Sequence, residues 1–354
     1  MRALPSAVRG ADPRWFAMVM ATGIVSVALR LAGSPDLSAV LLWVAAAAFA
    51  VLLVASAWRV AASGREVRGE LSRPDRLFSY FAFPAAASVL AARLAGPGAR
   101  GSAGVVAALT SVTAVAWIAL SGVVLAFLAC WAGPRRAITE VNGGWQLWVV
   151  GTQAAAIAAT SAYTAGVLPG RVAAWAAVVA WTTGAALYLV VTALVVTRLR
   201  VAGLAPGDPV APYWVTMGAA SITVLGAAQA VQVTGVAGSA VLTGFRAGLT
   251  DLGLGFWSVA TGLIPALVIF GAGRWRRGLT ARGFRPEWWM IVFPAGMYAT
   301  ASMRIGAVAG LPPIRETGAA ATWVAAAAWA AVLAGMVFRP AIPHPRARRP
   351  YPRR

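Results

Sequence analysis

The chain of 354 residues contains no lysine, one histidine (His344) and one cysteine (Cys130). With so few ligands and nucleophiles, a zinc site, a haem site or a histidine-based acyl-transfer centre cannot be assembled. Cys130 has no disulfide partner and reads as a packing residue. Charge is scarce as well: 11% of residues carry it, against about 25% in soluble domains. The 60% hydrophobic content exceeds what one or two soluble cores can bury. These figures exclude a soluble enzyme, a disordered chain and a fibrous protein. All ten acidic residues lie in connections or at the ends of apolar runs, so no carboxylate stands at mid-membrane depth. Cation pumps and proton relays keep one there. Its absence argues for an anionic or neutral permeant, and for a channel over a proton-coupled carrier.

What the chain does have is arginine, 30 of them, for a net charge of +20. A nucleic-acid partner would need that charge on one soluble face, so its distribution decides the reading. A bilayer-crossing helix needs about 20 mostly apolar residues. Ten such runs lie near 14–32, 38–60, 77–95, 103–130, 145–165, 172–197, 212–235, 250–272, 288–310 and 318–338. They lack the sustained alternation that a closed β-barrel requires. The first run, preceded by Arg2, Arg9 and Arg14, could imitate a secretory signal; it shares its pattern with later runs and reads as an uncleaved span. Ten spans put both termini on one side, which holds 23 arginines and 7 acidic residues. The other side holds 7 arginines and 3 acidic residues. By the positive-inside rule the termini are cytoplasmic in a cell membrane. The arginines of the 339–354 tail could also touch anionic lipid, and no nucleic acid is needed to explain the charge.

The odd spans resemble one another. Span 1 has Trp15-Phe16 and Gly23-Ile24-Val25-Ser26, span 3 has Phe78, Phe83-Pro84 and Ser88, and span 9 has Trp288-Trp289, Phe293-Pro294 and Gly296. In each, fifteen residues separate an aromatic (Trp15, Phe78, Trp289) from an arginine (Arg30, Arg93, Arg304). Spans 5 and 7 keep the aromatic entry and the small middle, with Gly151-Thr152 and Gly218 to Ser221. The even spans are bulkier and more uniform. Small residues and proline in mid-membrane occur where helices pack closely or line a water-filled cavity. Two readings stay open: five odd helices around a pore sheathed by five greasy ones, or packing seams. On the pore reading, Pro84 and Pro294 kink their helices at mid-depth. Thr22, Ser26, Ser88, Thr152 and Ser221 then turn hydroxyls toward water or a ligand. The three arginines fall at the outer ends. They are either interface anchors or a basic ring that concentrates anions.

The ten spans, the opening Trp15 to Ser26, the Asn142-Gly143-Gly144-Trp145-Gln146-Leu147-Trp148 entry to span 5 and Phe293-Pro294 resemble the tellurite-resistance/dicarboxylate transporter family. That family includes fungal malate and sulfite transporters and the slow anion channels of plant guard cells. The resemblance covers about 14–338 as one transport domain, between a 1–13 N-terminus and the 339–354 tail. It implies an all-α polytopic membrane protein of five helical hairpins in quasi-fivefold arrangement, with odd helices lining the pore of each protomer of a homotrimer. It also implies small anions as permeants, no cofactor, and a phenylalanine of span 9 blocking the pore. Phe293 is the matching position, with Phe83-Pro84 a similar pair; an ordinary packing aromatic is the alternative. The other pore-lining candidates are Gly23, Ser26, Ser88, Gly151, Thr152, Gly218, Ser221, Pro294 and Gly296. A secondary carrier for a C4-dicarboxylate, sulfite or a tellurium oxyanion, with or without proton coupling, is the competing expectation.

Overall fold

In the computed structural model the described residues are 12–96, 102–130, 138, 140–204, 210–276 and 284–338. Arg2, Arg9, Arg100, His344 and the tail arginines lie outside them. Ten long helices run through the described residues: α1 Phe16–Leu31, α2 Pro35–Leu71, α3 Ala82–Leu94, α4 Ala103–Cys130, α5 Gln146–Thr164, α6 Gly170–Ala202, α7 Ala211–Val236, α8 Ala240–Arg276, α9 Trp289–Val308 and α10 Pro312–Phe338. They fall on the ten apolar runs. Seven are long and apolar enough to cross a membrane on those grounds alone; α3, α5 and α9 are not. The ten runs therefore differ in how far length and apolarity alone would carry them across a membrane, and the reason is positional. α3 has only 13 residues, and α5 carries buried Gln146, Thr152, Gln153, Thr160 and Ser161. Such helices are stable in a membrane when protein, and not lipid, surrounds them.

Burial divides the helices into two shells. In the most apolar stretches, 89% of residues are buried in α7 and 67% in α1, against 11–39% in the five even helices. The odd helices pack in order, α1 on α3, α3 on α5, α5 on α7 and α7 on α9, and α9 returns to α1. The ring is closed. Each even helix packs on its own hairpin partner and reaches the next odd helix. Large apolar side chains such as Trp43, Val54, Ile118, Leu189 and Ile269 are left exposed on this outer shell, as a lipid-facing surface requires.

Small residues set the closeness of the ring. A Cβ on Gly23 would stand 2.8 Å from Val89, on Gly151 2.5 Å from the Phe81 ring, on Gly218 2.9 Å from Pro294, and on Gly296 2.9 Å from Ile24. Each glycine is therefore the hole that takes a side chain of the adjacent odd helix or its entry turn.

The odd helices enter by a shared device. A 3-10 turn precedes α1 (Pro13–Trp15), α3 (Phe78–Phe81), α5 (Gly143–Trp145) and α9 (Pro286–Trp288). Asp12 caps the first and Asn142 the third, whose Oδ1 accepts from the Gly144 N–H at 2.8 Å. Pro84 is the third residue of α3, directly after the 3-10 turn, whose Ser79 and Tyr80 carbonyls accept from the Ala82 N–H. Pro294 does lie inside its helix, five residues beyond Trp289.

At 1.5 Å per residue the 37-residue α2 would run about 55 Å, well beyond a hydrocarbon core of about 30 Å. It breaks at Ser63 (φ −139°, ψ 38°). The break lets Arg59 reach Glu70 at 2.6 Å, eleven positions on, where Tyr80 Oη also donates at 2.7 Å. A straight helix would hold those positions about 16 Å apart.

Candidate functional site

The five odd helices run parallel, each returning through its even partner, so the ring has an entry end and an exit end. Toward the exit end each odd helix contributes one buried aliphatic side chain to a common cavity: Ile24, Val89, Ile157, Leu225 and Met297. The cavity measures about 20 Å³, room for about one water molecule. Val27 of α1, Ala92 of α3 and three polar side chains complete its wall. Thr300 Oγ1 donates to the Gly296 carbonyl of its own helix at 3.0 Å. Gln229 Oε1 accepts from Thr160 Oγ1 at 2.6 Å. Arg304 is the only charged residue of the lining.

The arginines grouped by spacing separate in space. Arg93 is buried, and its Nε donates to both Ser26 Oγ (3.2 Å) and Ser38 Oγ (3.0 Å). Those serines donate to one another's backbone carbonyls, each at 2.6 Å. Arg93 is thus the centre of a polar joint between α1, α2 and α3. Arg30 lies beside it, close enough for the two charges to interact, with its Nε next to Gly96. Arg304 alone enters the cavity.

Phe293 is wholly buried, its ring set over Gly218 of α7 beside Pro294. It lies one turn nearer the entry end than Met297, about 6 Å along the helix. Phe83 faces the other way. It stacks on Phe49 of α2 at 5.9 Å and meets Phe16 edge-on at 5.1 Å, on an apolar groove between α2 and α4. The Pro84 carbonyl accepts from Thr113 of α4 at 3.3 Å.

The hydroxyls expected to await water or a ligand have partners in the chain. Ser88 donates to the Ala154 carbonyl of α5 at 2.8 Å and Ser221 to the Met217 carbonyl at 2.9 Å. Thr152 and Thr22 take part in a pattern that hydropathy concealed. Trp117 of α4 donates to Thr152 (3.0 Å), Trp181 of α6 to the Thr223 carbonyl (2.8 Å), Trp257 of α8 to Ser302 (2.8 Å) and Trp329 of α10 to Thr22 (3.0 Å). Four outer helices thereby clamp the next inner helix with an indole N–H, and the Arg93–Ser38 bond joins the fifth pair, α2 and α3. Buried tryptophan needs such an acceptor. A mid-span tryptophan in each of four even runs was the available signal.

At the entry end, ion pairs bind the starts of three odd helices together. Arg14 bonds Asp12 through Nε at 2.9 and 3.0 Å and pairs with Glu287 at the start of α9. Arg76, ahead of α3, reaches Asp12 at 2.7 Å. Burial by itself would raise the Asp12 carboxyl, but the hydrogen bonds and charge of Arg14, with Arg76, outweigh it and hold the group down at about 2. Phe78 and Trp145 stack between the next two entry turns at 4.4 Å. Among the described residues no three His, Cys, Asp or Glu side chains group as a metal site.

A parallel ring of five polar, close-packed helices inside a shell of long apolar ones, with one charged side chain in the cavity they share, defines an all-helical polytopic membrane protein of the transport class. Residues 11–337 match the SLAC1 family, voltage-dependent anion channel, and the chain belongs to that family. This is the family grouping that the Trp15 to Ser26 and Phe293-Pro294 motifs resembled. Two relatives are uncharacterised membrane proteins of Mycobacterium tuberculosis, from strains CDC 1551 and H37Rv. Each is 38% identical over 153 residues, covering 43% of this chain and 75% of the relative. The family comprises channels and transporters, not enzymes, and membership assigns the chain to anion transport across a membrane.

Proposed function

We propose that each protomer carries small anions through a pore between its five odd helices, as a channel or channel-like transporter. The observation that carries this reading is the closed ring of odd helices around a cavity to which all five contribute, with Arg304 as its charge. On this reading all ten helices cross a cell membrane as five hairpins in quasi-fivefold arrangement, both termini are cytoplasmic, and three protomers associate. Selectivity comes from positive potential and polar groups without a tight site that would slow exit.

Phe293 is the gate of this pore, an apolar plug below the cavity. Gly23, Ser26, Ser88, Gly151, Thr152, Gly218, Ser221, Pro294 and Gly296 set the radius and joints of the pore wall, and Phe83 and Pro84 hold its seam to the outer shell. Arg30 and Arg93 add positive potential at the outer mouth. The family's description, voltage-dependent anion channel, favours the small-anion channel over a carrier for a C4-dicarboxylate.

The test is anion flux in liposomes. Phe293→Ala should raise it about tenfold, which corresponds to a barrier lowered by about 1.4 kcal/mol, with Phe293→Leu intermediate. Flux unchanged in both variants, with monodisperse protein, removes the gate assignment. Wild-type flux that saturates and follows a proton gradient would make the protein a coupled carrier instead.

A further inference from the structure

We infer that the groove between α2 and α4, at the entry end of the ring, is a binding site for one anionic phospholipid, with an acyl chain lying in the slot and the phosphate at its basic mouth. That the entry end meets the cytoplasmic leaflet rests on the transport reading above; the site itself rests on the groove's shape and charge. The groove holds about 310 Å³, room for about ten methylene groups if each takes the space of a water molecule, about 30 Å³. Its floor is Phe16 of α1 and Phe83 of α3, two rings of the inner shell. Ala57 of α2 and Ala116 and Ala119 of α4 stand in its sides, too small to close over that floor. Ala57, Ala119 and the neighbouring Leu53 and Val60 are exposed, so the slot opens sideways onto the lipid-facing surface.

An acyl chain gains nothing from the hydrophobic effect on leaving the bilayer for an apolar slot, so charge at the mouth has to select the occupant. Arg59 stands in the wall, held to Glu70 at 2.6 Å. Ser56 lies three residues deeper, about 4.5 Å along the helix, where the glycerol esters of a lipid hang below its phosphate. The break at Ser63 folds the end of α2 back over the slot, so that Val67 is buried in its wall while Arg65 and Arg68 of the same segment are exposed. Among the described residues from 59 to 73, they and Arg73 set three exposed arginines against one exposed carboxylate, Glu66. That surplus suits a lipid phosphate. Two other outer grooves, about 440 Å³ between α4 and α6 and about 410 Å³ beside the end of α10, have no charged side chain in their walls. A chain seated on Phe83 also bears on its stacked partner Phe49 and on Phe16, which ties occupancy to the packing of α1 and α3.

Thermal unfolding of the full-length protein in neutral detergent, with added phosphatidylglycerol or phosphatidylcholine of the same chain length, tests the site, and native mass spectrometry counts the lipid retained. Phosphatidylglycerol should raise the melting temperature by about 5 °C, and phosphatidylcholine by a small fraction of that. Ala57→Phe/Ala119→Phe fills the slot from two exposed positions; it should abolish the phosphatidylglycerol shift and leave melting without lipid near wild type. Ala176→Phe, in the wall of the α4–α6 groove and equally exposed, should keep the full shift. Arg65→Gln/Arg68→Gln, on the exposed side of its segment, should bring the phosphatidylglycerol shift down to that of phosphatidylcholine, and it decides the matter if the filled slot does not fold. A full shift in both the filled-slot and the double-arginine variants overturns the site, and loss of the shift in Ala176→Phe overturns its placement between α2 and α4. Equal shifts by the two lipids in wild type overturn the headgroup class, and an equal shift by glycerol phosphate alone overturns a lipid as the occupant. A shift lost on filling the slot, in a wild-type protein that passes no anion in liposomes, overturns the transport reading and leaves the site standing.

Discussion

The inner ring and the outer shell are built from the same short alphabet of Ala, Val, Leu, Gly and Trp, yet they are held by different physics. The outer helices have lipid on most of their surface and tolerate almost any apolar side chain there. The inner helices have protein on all sides, so each position is chosen by its neighbour: Gly151 by Phe81, Gly218 by Phe293, Ser26 by Arg93. Without a hydrophobic difference between lipid and protein interior, close packing and hydrogen bonds carry the assembly. The contrast shows that hydropathy measures what a helix touches and says little about whether it belongs to the membrane domain.

The contrast is broken most severely by one matched pair of glycines. A Cβ on Gly318 would stand 2.6 Å from the Met303 nitrogen and 2.7 Å from the Ala299 carbonyl oxygen, both backbone atoms of α9, whereas one on Gly122 of α4 meets nothing within 4 Å. Gly318→Val should cost about 3 kcal/mol or prevent assembly, and Gly122→Val should leave thermal unfolding in detergent within about 0.5 kcal/mol of wild type. Equal melting of the two variants would mean that helix crossing does not depend on this contact.

A smaller effect is expected from pH at the entry turns. The Asp12 carboxyl, near 2 in the fold against 3.8 ordinarily, binds its proton more weakly folded than unfolded. Its contribution, about 2 kcal/mol, is therefore complete above about pH 4 and is lost as the pH falls toward 2. Stability measured between pH 5 and pH 2 should fall in the wild type, and Asp12→Asn should flatten that part of the dependence. A parallel pH curve in Asp12→Asn would show that the entry ion pairs do not secure α1, α3 and α9.

The smallest effect sharpens the comparison at the joint between shells. Trp329→Phe removes the indole bond to Thr22 and should cost about 1 kcal/mol. Trp43→Phe, on an outer helix with 73% of the side chain's residue exposed, should cost almost nothing in detergent. A Trp43 variant as damaging as the Trp329 variant would place protein, not lipid, over that face.

The two-shell arrangement was legible in the sequence because small middles and aromatic entries recur in alternate runs, and because charge avoids the runs altogether. The partners of individual side chains were not, since helix faces are set by contacts dozens of residues away. Phe83-Pro84 and Phe293-Pro294 read as equivalents, but α2 offers Phe49 to the first ring while α7 offers Gly218 to the second. Ser26 looked like a polar group in need of a ligand because Ser38 and Arg93 belong to other helices. Arg30, Arg93 and Arg304 share one spacing from an aromatic, and only Arg304 reaches the common cavity. Gln229 carried a signal, an amide inside an apolar run, that its neighbours' greasiness outweighed.

The shortness of α3 bears on how the protein is made. Even with its 3-10 entry α3 covers only Phe78–Leu94, at the short limit for retention by an insertion machinery that scores each segment for lipid solubility, and α5 and α9 are less apolar than the seven long helices. Each is followed directly by a long greasy helix, α4, α6 or α10. The unit delivered to the bilayer is consequently the pair, with the second helix drawing the first in behind it, and a mutation that weakens an even helix should leave its odd predecessor stranded outside.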